Sequence, residues 1–366
     1  MNISRTALTA ALVALAGVSS ILSAQKPQKA PTAAEKSDAE ILAWPPPPAP
    51  TRIKWVTEFR SESDVKLKKR KSFIDRLAGK SEEVLKLQRP LSVAVDDRGV
   101  LFVGDFGQGI LAIDEAKHEM WNFSKASGIS LPTPVGLAVD SKFVYATDAN
   151  TNSVVVFDKE GQKVNSLGVL DGIKRPVGVA VDETKDLLVV VNGGDHTVLL
   201  YNRALQLIKK IGSRGEEPGQ FNFPTYCCIV PGTGFAISDT GNFRVQIFDY
   251  AGKFIRTFGK PGDTSGCLAR PKGVAVDSDG NLYVVDATFA NFQIFQLDGQ
   301  VLTHVGQGGA RKGMFQIPGA ITISKEGVIY VADQVNRRIQ RFQYLSGPKD
   351  QTKEAPKEVP KEAPKS

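Results

Sequence analysis

The sequence predicts an all-β protein, a six-bladed β-propeller, and three observations lead to this fold class. Six similar segments each open on a proline, and these prolines are separated by 44, 42, 48, 47 and 47 residues: Pro90, Pro134, Pro176, Pro224, Pro271 and Pro318. Each segment holds four short, largely apolar runs joined by turns rich in Asp, Asn and Gly, which predicts a four-stranded antiparallel sheet. Such a sheet is apolar on both faces, so it is stable only when similar sheets stack around an axis.

A small residue follows two positions after five of the opening prolines: Ser92, Gly136, Gly178, Gly273 and Ala320. We expect the first strands of the six blades to crowd at the axis, where a small side chain lets the backbones approach. Tyr226 takes this position in blade four. Its ring is expected either to plug the mouth of the central channel or to pack sideways between blades.

The N-terminal residues are typical of an export signal. Residues 1–24 place Arg5 before an uncharged apolar stretch that ends in Ser23 and Ala24, which predicts a signal peptide and a periplasmic or secreted protein. The alternative is an uncleaved membrane anchor, because residues 6–24 are uncharged over 19 positions. Residues 25–50, which include the run Pro45 to Pro48, predict an extended spacer.

The propeller is expected to span residues 51–346. The sixth segment lacks a fourth strand, and TRIKWVTEFR (51–60) resembles the fourth-strand stretches KFIRTFG and QVLTHVG. We therefore expect residues 51–60 to complete the last blade and close the ring, which removes an open sheet edge. Residues 347–366 alternate Lys, Glu and Pro and predict a disordered tail.

Residues 63–88 are inserted between the closing strand and blade one. They contain a dense cationic run: Lys66, Lys68, Lys69, Arg70 and Lys71. A helix capped by Ser72 would place Phe73, Ile74 and Leu77 on one side, and such a basic amphipathic element docks on a lipid surface or a partner. The alternative is a loop folded back on the propeller with solvated lysines.

Arginines recur at positions that share one end of the channel. Arg89, Arg175 and Arg270 each precede an opening proline, and Arg244, Arg337 and Arg338 follow the second strands of blades four and six. Both kinds of connection emerge on the same face, so these residues and Tyr226 predict a basic binding surface at the channel mouth. The formal net charge of +7 also favours an anionic partner.

The segments DTGNFRVQIF (239–248) and DQVNRRIQRF (333–342) resemble the NHL repeat, and six such units resemble the six-bladed NHL propeller family. Blades one to three, with DFGQGI, DANTNSV and NGGDHTV, depart from the pattern because they lack its arginine. No Trp-Asp dipeptide ends the third strands, which disfavours a WD40 propeller. The resemblance implies a fold that carries many functions.

Propellers that this family resembles, including lactonases and a peptide-amidating lyase, hold a metal in the channel. Here His118, His196 and His304 all fall outside the first strands, so we predict no catalytic residues, no metal and no cofactor. DSDGN (277–281) predicts a hairpin turn rather than a calcium loop, since Thr288 stands where that loop needs an acid. GxSxG, HExxH and CxxCH motifs are absent from the sequence.

Three cysteines are present: Cys227, Cys228 and Cys267. In an oxidising compartment we expect Cys267 to bridge Cys228, or alternatively Cys227. The other interpretation is three buried thiols.

These features predict a monomeric, non-catalytic protein-binding or scaffolding module of the cell envelope. The expected partner is an envelope protein or an anionic surface, with membrane contact through the basic insertion or an uncleaved N-terminus. Nucleic acid is disfavoured, because export removes the chain from RNA and no aromatic stacking platform accompanies the charges. The alternatives are a hydrolase or lyase acting on a small lactone, ester or peptide end, and a ligand-sensing propeller.

Overall fold

The computed structural model describes residues 42–46, 48–67 and 84–345. Four predicted features lie wholly or mainly outside these residues: the signal peptide (1–24), the spacer up to residue 41, the helix after Ser72 and the tail 347–366. Lys68, Lys69, Arg70 and Lys71 of the cationic run lie outside them as well. Across the described ranges, no helix is both long and apolar enough to cross a bilayer.

Six antiparallel sheets make up the described fold, and the predicted six-bladed β-propeller is confirmed. The strands of each blade are given from the innermost outwards. Blade one consists of Pro90–Val95, Leu101–Asp105, Gly109–Asp114 and Glu119–Asn122, and blade two of Pro134–Val139, Phe143–Asp148, Ser153–Asp158 and Lys163–Leu167. Blade three consists of Pro176–Asp182, Leu187–Asn192, Thr197–Tyr201 and Leu207–Ile211. Blades four and five consist of Pro224–Val230, Gly234–Asp239, Arg244–Asp249 and Phe254–Phe258; and Pro271–Val276, Leu282–Asp286, Asn291–Phe295 and Val301–Val305.

Blade six combines both ends of the described chain. Its strands are Pro318–Ile323, Val328–Asp333, Arg338–Tyr344, Ile53–Phe59 and, at the outer edge, Ala43–Trp44. Ile53 lies opposite Tyr344 and Phe59 opposite Ile339, with a register shift between Trp55 and Thr57. Ala43 and Trp44, which fall in the predicted spacer 25–50, thus form an edge strand of this blade.

The six first strands enclose a central channel, because each contacts the first strands of the two neighbouring blades. Small residues are required where these strands meet. A Cβ atom added to Gly178 would lie 2.6 Å from the carbonyl oxygen of Thr225 in the next blade, and one added to Gly273 would lie 2.7 Å from that of Gly319. Any larger side chain at these positions would push the first strands apart.

Six apolar cores hold the ring together, one at each boundary between blades. Between blades one and two, for example, Phe102 and Phe157 are buried together, and Phe123 from the connecting loop packs edge-on against both rings. Burying one such side chain stabilises the fold by about 1.5–3 kcal/mol. The described helices are short: Glu62–Val65 and the 3-10 turns Ser124–Ser127, Val169–Asp171, Gly193–Asp195 and Thr240–Asn242.

Candidate functional site

The two ends of the channel differ in the connections that surround them. We call the end where the first strands begin the top face; it carries the residues before each opening proline and the links between second and third strands. The opposite end, the bottom face, carries the tight turns between first and second and between third and fourth strands.

A buried polar side chain ends the second strand of every blade and organises the top face. These side chains are fully buried: Asp105, Asp148, Asn192, Asp239, Asp286 and Asp333. Each accepts a hydrogen bond from a backbone N–H in the connection that precedes the first strand, as Asp286 does from Ala269 and Arg270. The residues before the opening prolines are therefore held at fixed positions around the channel mouth.

Three of the predicted arginines are exposed at this mouth. Arg89, Arg175 and Arg270 stand at the same position in blades one, three and five, so they alternate around the ring. The even blades carry Thr133, Phe223 and Ile317 there. Within the described residues, none of the three arginines pairs with a carboxylate.

Two of the predicted binding residues, Arg244 and Arg338, are not available to a partner, which corrects the expectation from the sequence. The Arg338 side chain is 1% exposed and pairs with Asp333 at 2.8 Å and Glu58 at 2.6 Å. It also donates to the carbonyl oxygens of Arg311 and Met314.

Arg244 repeats this arrangement with Asp239 and three loop carbonyls. Both guanidinium groups therefore fasten the connection between two blades, because their donors are used inside the protein. Arg337, the neighbour of Arg338, is exposed.

Tyr226 crosses the channel. Its hydroxyl donates to the carbonyl oxygen of Leu91, in the first strand of the opposite blade, at 2.8 Å. Its ring packs both against the core between blades four and five and against that between blades six and one. Burial raises the pKa of this phenol. The hydroxyl contact lies across the channel and the ring contacts lie at boundaries between blades, so the geometry combines features of both expectations.

Below Tyr226 the side chains that line the channel are mostly apolar. A cavity of about 270 Å³ is lined by three residues from each first strand, mostly valine, alanine and isoleucine, with Cys228 and Thr322 among them. The interior therefore offers few polar side chains to a ligand, and the charged side chains lie at the mouth.

The cysteines do not form the predicted bridge between Cys267 and Cys228 or Cys227, because all three are unpaired. Cys227 and Cys228 lie on the innermost strand of blade four. Cys267 instead lies in a connection held by the third strand of blade five, where Gln293 donates to its carbonyl oxygen at 2.8 Å. Burial raises the pKa of the Cys228 thiol to about 12.

The described flanks of the basic insertion run along the outside of blades six and one, and residues 68–83 between them lie outside the described residues. Ser61 pairs with Lys86, and the Val65 carbonyl lies 3.3 Å from His118 Nδ1 in a bottom-face turn. Lys66 pairs with Glu62.

The three histidines lie in separate blades. His118 contacts the insertion, His196 accepts a hydrogen bond from the Phe223 N–H, and His304 lies on an outermost strand. In the part of the chain that the structure describes, no three His, Cys, Asp or Glu side chains come together in a group that could hold a metal ion.

Lys272 is a mouth residue that the sequence predictions missed. It follows the opening proline of blade five, where the other blades carry Leu91, Val135, Val177, Thr225 and Gly319. Burial, together with repulsion from Arg270 and Arg175, lowers the pKa of this lysine to about 8. The sequence did contain a signal for Lys272, because it is the only charged residue at a position that is uncharged in the five other blades.

Comparison with known proteins agrees with this architecture. Residues 268–297, which contain the first three strands of blade five, match the NHL repeat. No functionally curated protein matches the sequence.

Among solved structures, a Bacteroides thetaiotaomicron protein of unknown function is 20% identical, with a TM-score of 0.55 over 71% of this chain and 70% of its own. An auxiliary nutrient binding protein from the same organism is 15% identical, with a TM-score of 0.56 over 70% and 69%. Virginiamycin B lyase from Staphylococcus aureus is 13% identical, with a TM-score of 0.52 over 80% and 100%. At these identities the likeness shows the propeller fold alone.

Proposed function

Starting from a six-bladed propeller that carries an NHL repeat, we propose that this chain is a non-catalytic binding module that holds an anionic partner protein on its top face. The predicted export signal belongs to this proposal and makes the partner a protein of the cell envelope. The observation that carries the proposal is the ring of unpaired arginines at the channel mouth.

The exposed mouth arginines differ from Lys174 beside them, which pairs with Asp195, and from several cations of the bottom face. On the bottom face, two ion pairs cross blade boundaries: Lys159 lies 3.5 Å from Asp96 and Arg203 lies 2.9 Å from Asp140. A hydrogen bond of 2.7 Å from Tyr330 to Glu115 crosses another boundary. At the mouth, Arg89, Arg175 and Arg270 have no carboxylate partner among the described residues. Unpaired cations on one face attract an anionic partner and orient its approach.

Apolar side chains stand between these arginines. Phe223 and Ile317, at the equivalent positions of blades four and six, are 56% and 46% exposed. Both have positive φ angles, 48° and 54°, as does Arg175 at 44°. Exposed aromatic and arginine side chains are enriched in protein interfaces, and a rigid ring presents them at low entropic cost.

Site-specific photocrosslinking in intact cells tests the proposal. A photoreactive amino acid replaces Ile317 at the mouth or Lys325 in the bottom turn of the same blade, so the two probes differ chiefly in the face they report. We expect a defined protein adduct from position 317 and none from position 325. The combined variant Arg89→Glu, Arg175→Glu, Arg270→Glu should abolish that adduct.

The control variant reverses three bottom-face charges, Lys142→Glu, Lys253→Glu and Lys325→Glu, and should leave the adduct at position 317 intact. An adduct that survives reversal of the mouth arginines, or that forms only from position 325, would refute the top face as the binding surface.

A further inference from the structure

Lys272 has a fixed backbone and a half-buried side chain at the channel mouth. The Ser238 hydroxyl donates to its carbonyl oxygen, and Thr240 Oγ1 donates to the carbonyl oxygen of Pro271 at 2.7 Å. Thr225 and Thr240 also share a hydrogen bond of 2.6 Å. The first strand of blade five is thus tied to blade four, and the start of the lysine side chain is held in place.

The charges around Lys272 are all of its own sign. Arg270 precedes it by two residues in the same blade, and Arg175 stands at the position of blade three that matches Arg270. The charges of both arginines disfavour the protonated amine. No Asp or Glu side chain pairs with any of the three in the described residues. A lysine surrounded in this way is destabilised in its charged form, and a bound anion would relieve that cost.

The other ionisable groups nearby are already occupied. On blade four, the Tyr226 hydroxyl donates across the channel to Leu91, and Asp239 accepts from Asn222, Asn242 and Arg244. On blade five, the Asp286 carboxylate accepts the backbone N–H of Arg270. Blade six presents only Gly319 and Ala320 at the matching positions. Among the described residues, no carboxylate forms an ion pair with the cluster.

We propose that Lys272, Arg270 and Arg175 form an oxyanion-binding site at the channel mouth, with Tyr226 as its floor. The ligand is a carboxylate or phosphate group, either free in solution or an acidic group of the partner protein. The second source rests on the proposed function, whereas the site itself does not. Arginine supplies paired N–H donors that fit such planar or tetrahedral anions, and lysine adds a compact charge.

Binding at this site should take up protons. Because the free lysine titrates near pH 8 and a bound anion favours its charged form, the pKa of Lys272 rises on binding. At pH 8 about half of the lysines are neutral before binding, so uptake approaches about half a proton per chain. Affinity is then highest below pH 8 and falls as the pH rises above it, by up to about tenfold per unit.

Isothermal titration calorimetry of the full chain tests the site. The probes are inorganic phosphate, a short acidic peptide with a free C-terminal carboxylate, and the matching glutamine peptide with an amidated end. Titrations at pH 7, 8 and 9, and at pH 8 in two buffers of different ionisation enthalpy, measure affinity and proton uptake. The variants are Lys272→Gln and, as an exposed bottom-face control, Lys142→Gln.

We expect Lys272→Gln to weaken binding at least about fivefold and to remove the proton uptake at pH 8, while Lys142→Gln changes neither. Binding of phosphate indicates a free anion as ligand, and binding of the acidic peptide alone indicates a group on the partner. Equal binding of the neutral peptide, no binding of either anion, or affinity unchanged by Lys272→Gln would overturn the site.

Two readouts separate this site from the proposed function. If Lys272→Gln does not fold, as judged by its thermal unfolding, the proton uptake of the unaltered chain still decides, because its absence contradicts the site. Anion binding without crosslinking from position 317 would support the oxyanion site and contradict the proposed partner protein. Crosslinking from position 317 without anion binding would contradict the oxyanion site and support the partner protein.

Discussion

Whether an arginine of this ring is buried or exposed depends on the residue five positions before it. Arg244 and Arg338 each follow a buried aspartate at that spacing, Asp239 and Asp333, and are drawn inward to it. Burial raises the pKa of both carboxyls in spite of these contacts, so the aspartates are poorly solvated. Arg89, Arg175 and Arg270 have no such partner and stay exposed. The same residue type is thus a structural fastener in one position and a candidate contact in another.

Neighbouring arginines of blade six give a direct test. Arg338→Met should lower the free energy of unfolding by about 3–5 kcal/mol, because it leaves Asp333 buried without its cation and frees two loop carbonyls. Arg337→Met, one residue away and exposed, should change it by no more than about 0.5 kcal/mol. Urea denaturation of both variants makes the measurement, and equal effects would show that Arg338 is not a fastener.

The thiol of Cys228 provides a test that depends on pH. With its pKa raised to about 12 by burial, only about one thiol in 10⁴ is ionised at pH 8. Its alkylation in the native protein should therefore be slow and should rise about tenfold per pH unit up to pH 11. Mass spectrometry of the Cys228 peptide measures the rate, and Cys228→Ser identifies its signal.

The same experiment reports on the cysteine pairing. After denaturation without reductant, three thiols per chain should react, since Cys227, Cys228 and Cys267 are unpaired. Only one reactive thiol would show that a bridge forms.

At the level of strands and blades, the features that repeat were predictable and those that occur once were not. The period, the turn residues and the small residue two positions after five of the six opening prolines reflect a packing problem that recurs in every blade, so each blade supports the inference from the others. The edge strand Ala43–Trp44 gives no periodic signal because it is two residues long. The inward turn of Arg338 also escaped prediction, since its loop carbonyl partners depend on how two blades meet.

The predicted site was therefore only partly visible in the sequence. The alignment on prolines brought Arg89, Arg175 and Arg270 to one rim, because a shared position in a repeat means a shared position in the ring. It could not show that the flanks of the basic insertion lie along the outer side of blades six and one. Val65 reaches His118 through tertiary packing that no local pattern specifies.

Strand Ile53–Phe59 allows a test at this scale. Deleting residues 51–60 removes the buried side chains Ile53 and Phe59 and leaves the third strand of blade six without its outer partner. We expect the midpoint of thermal unfolding to fall by at least about 10 °C and the chain to aggregate at the new edge. Deleting residues 347–366 is the control and should leave the midpoint unchanged. A melting curve unaffected by the first deletion would show that the strand is dispensable.

Over the whole molecule, stability and recognition are assigned to different places. The six apolar cores and the bottom-face ion pairs join neighbouring blades without using the exposed arginines of the mouth. The mouth collects Arg175, Arg270 and Lys272, whose like charges repel one another. Residues kept in an arrangement that costs stability are typical of surfaces selected for binding.

This division predicts opposite effects of removing charge from the two faces. The combined variant Arg89→Gln, Arg175→Gln, Arg270→Gln should unfold at the same temperature as the unaltered chain or slightly higher, because repulsion is relieved and no pairing is lost. The gain should be larger at low salt, where charges are screened less. Arg203→Gln on the bottom face should instead lower the midpoint by several degrees, since it leaves the buried Asp140 carboxylate without its cation. Differential scanning calorimetry at low and high salt makes the comparison. A marked loss of stability in the triple variant would mean that the mouth arginines hold the ring together, and the case for a binding surface there would fail.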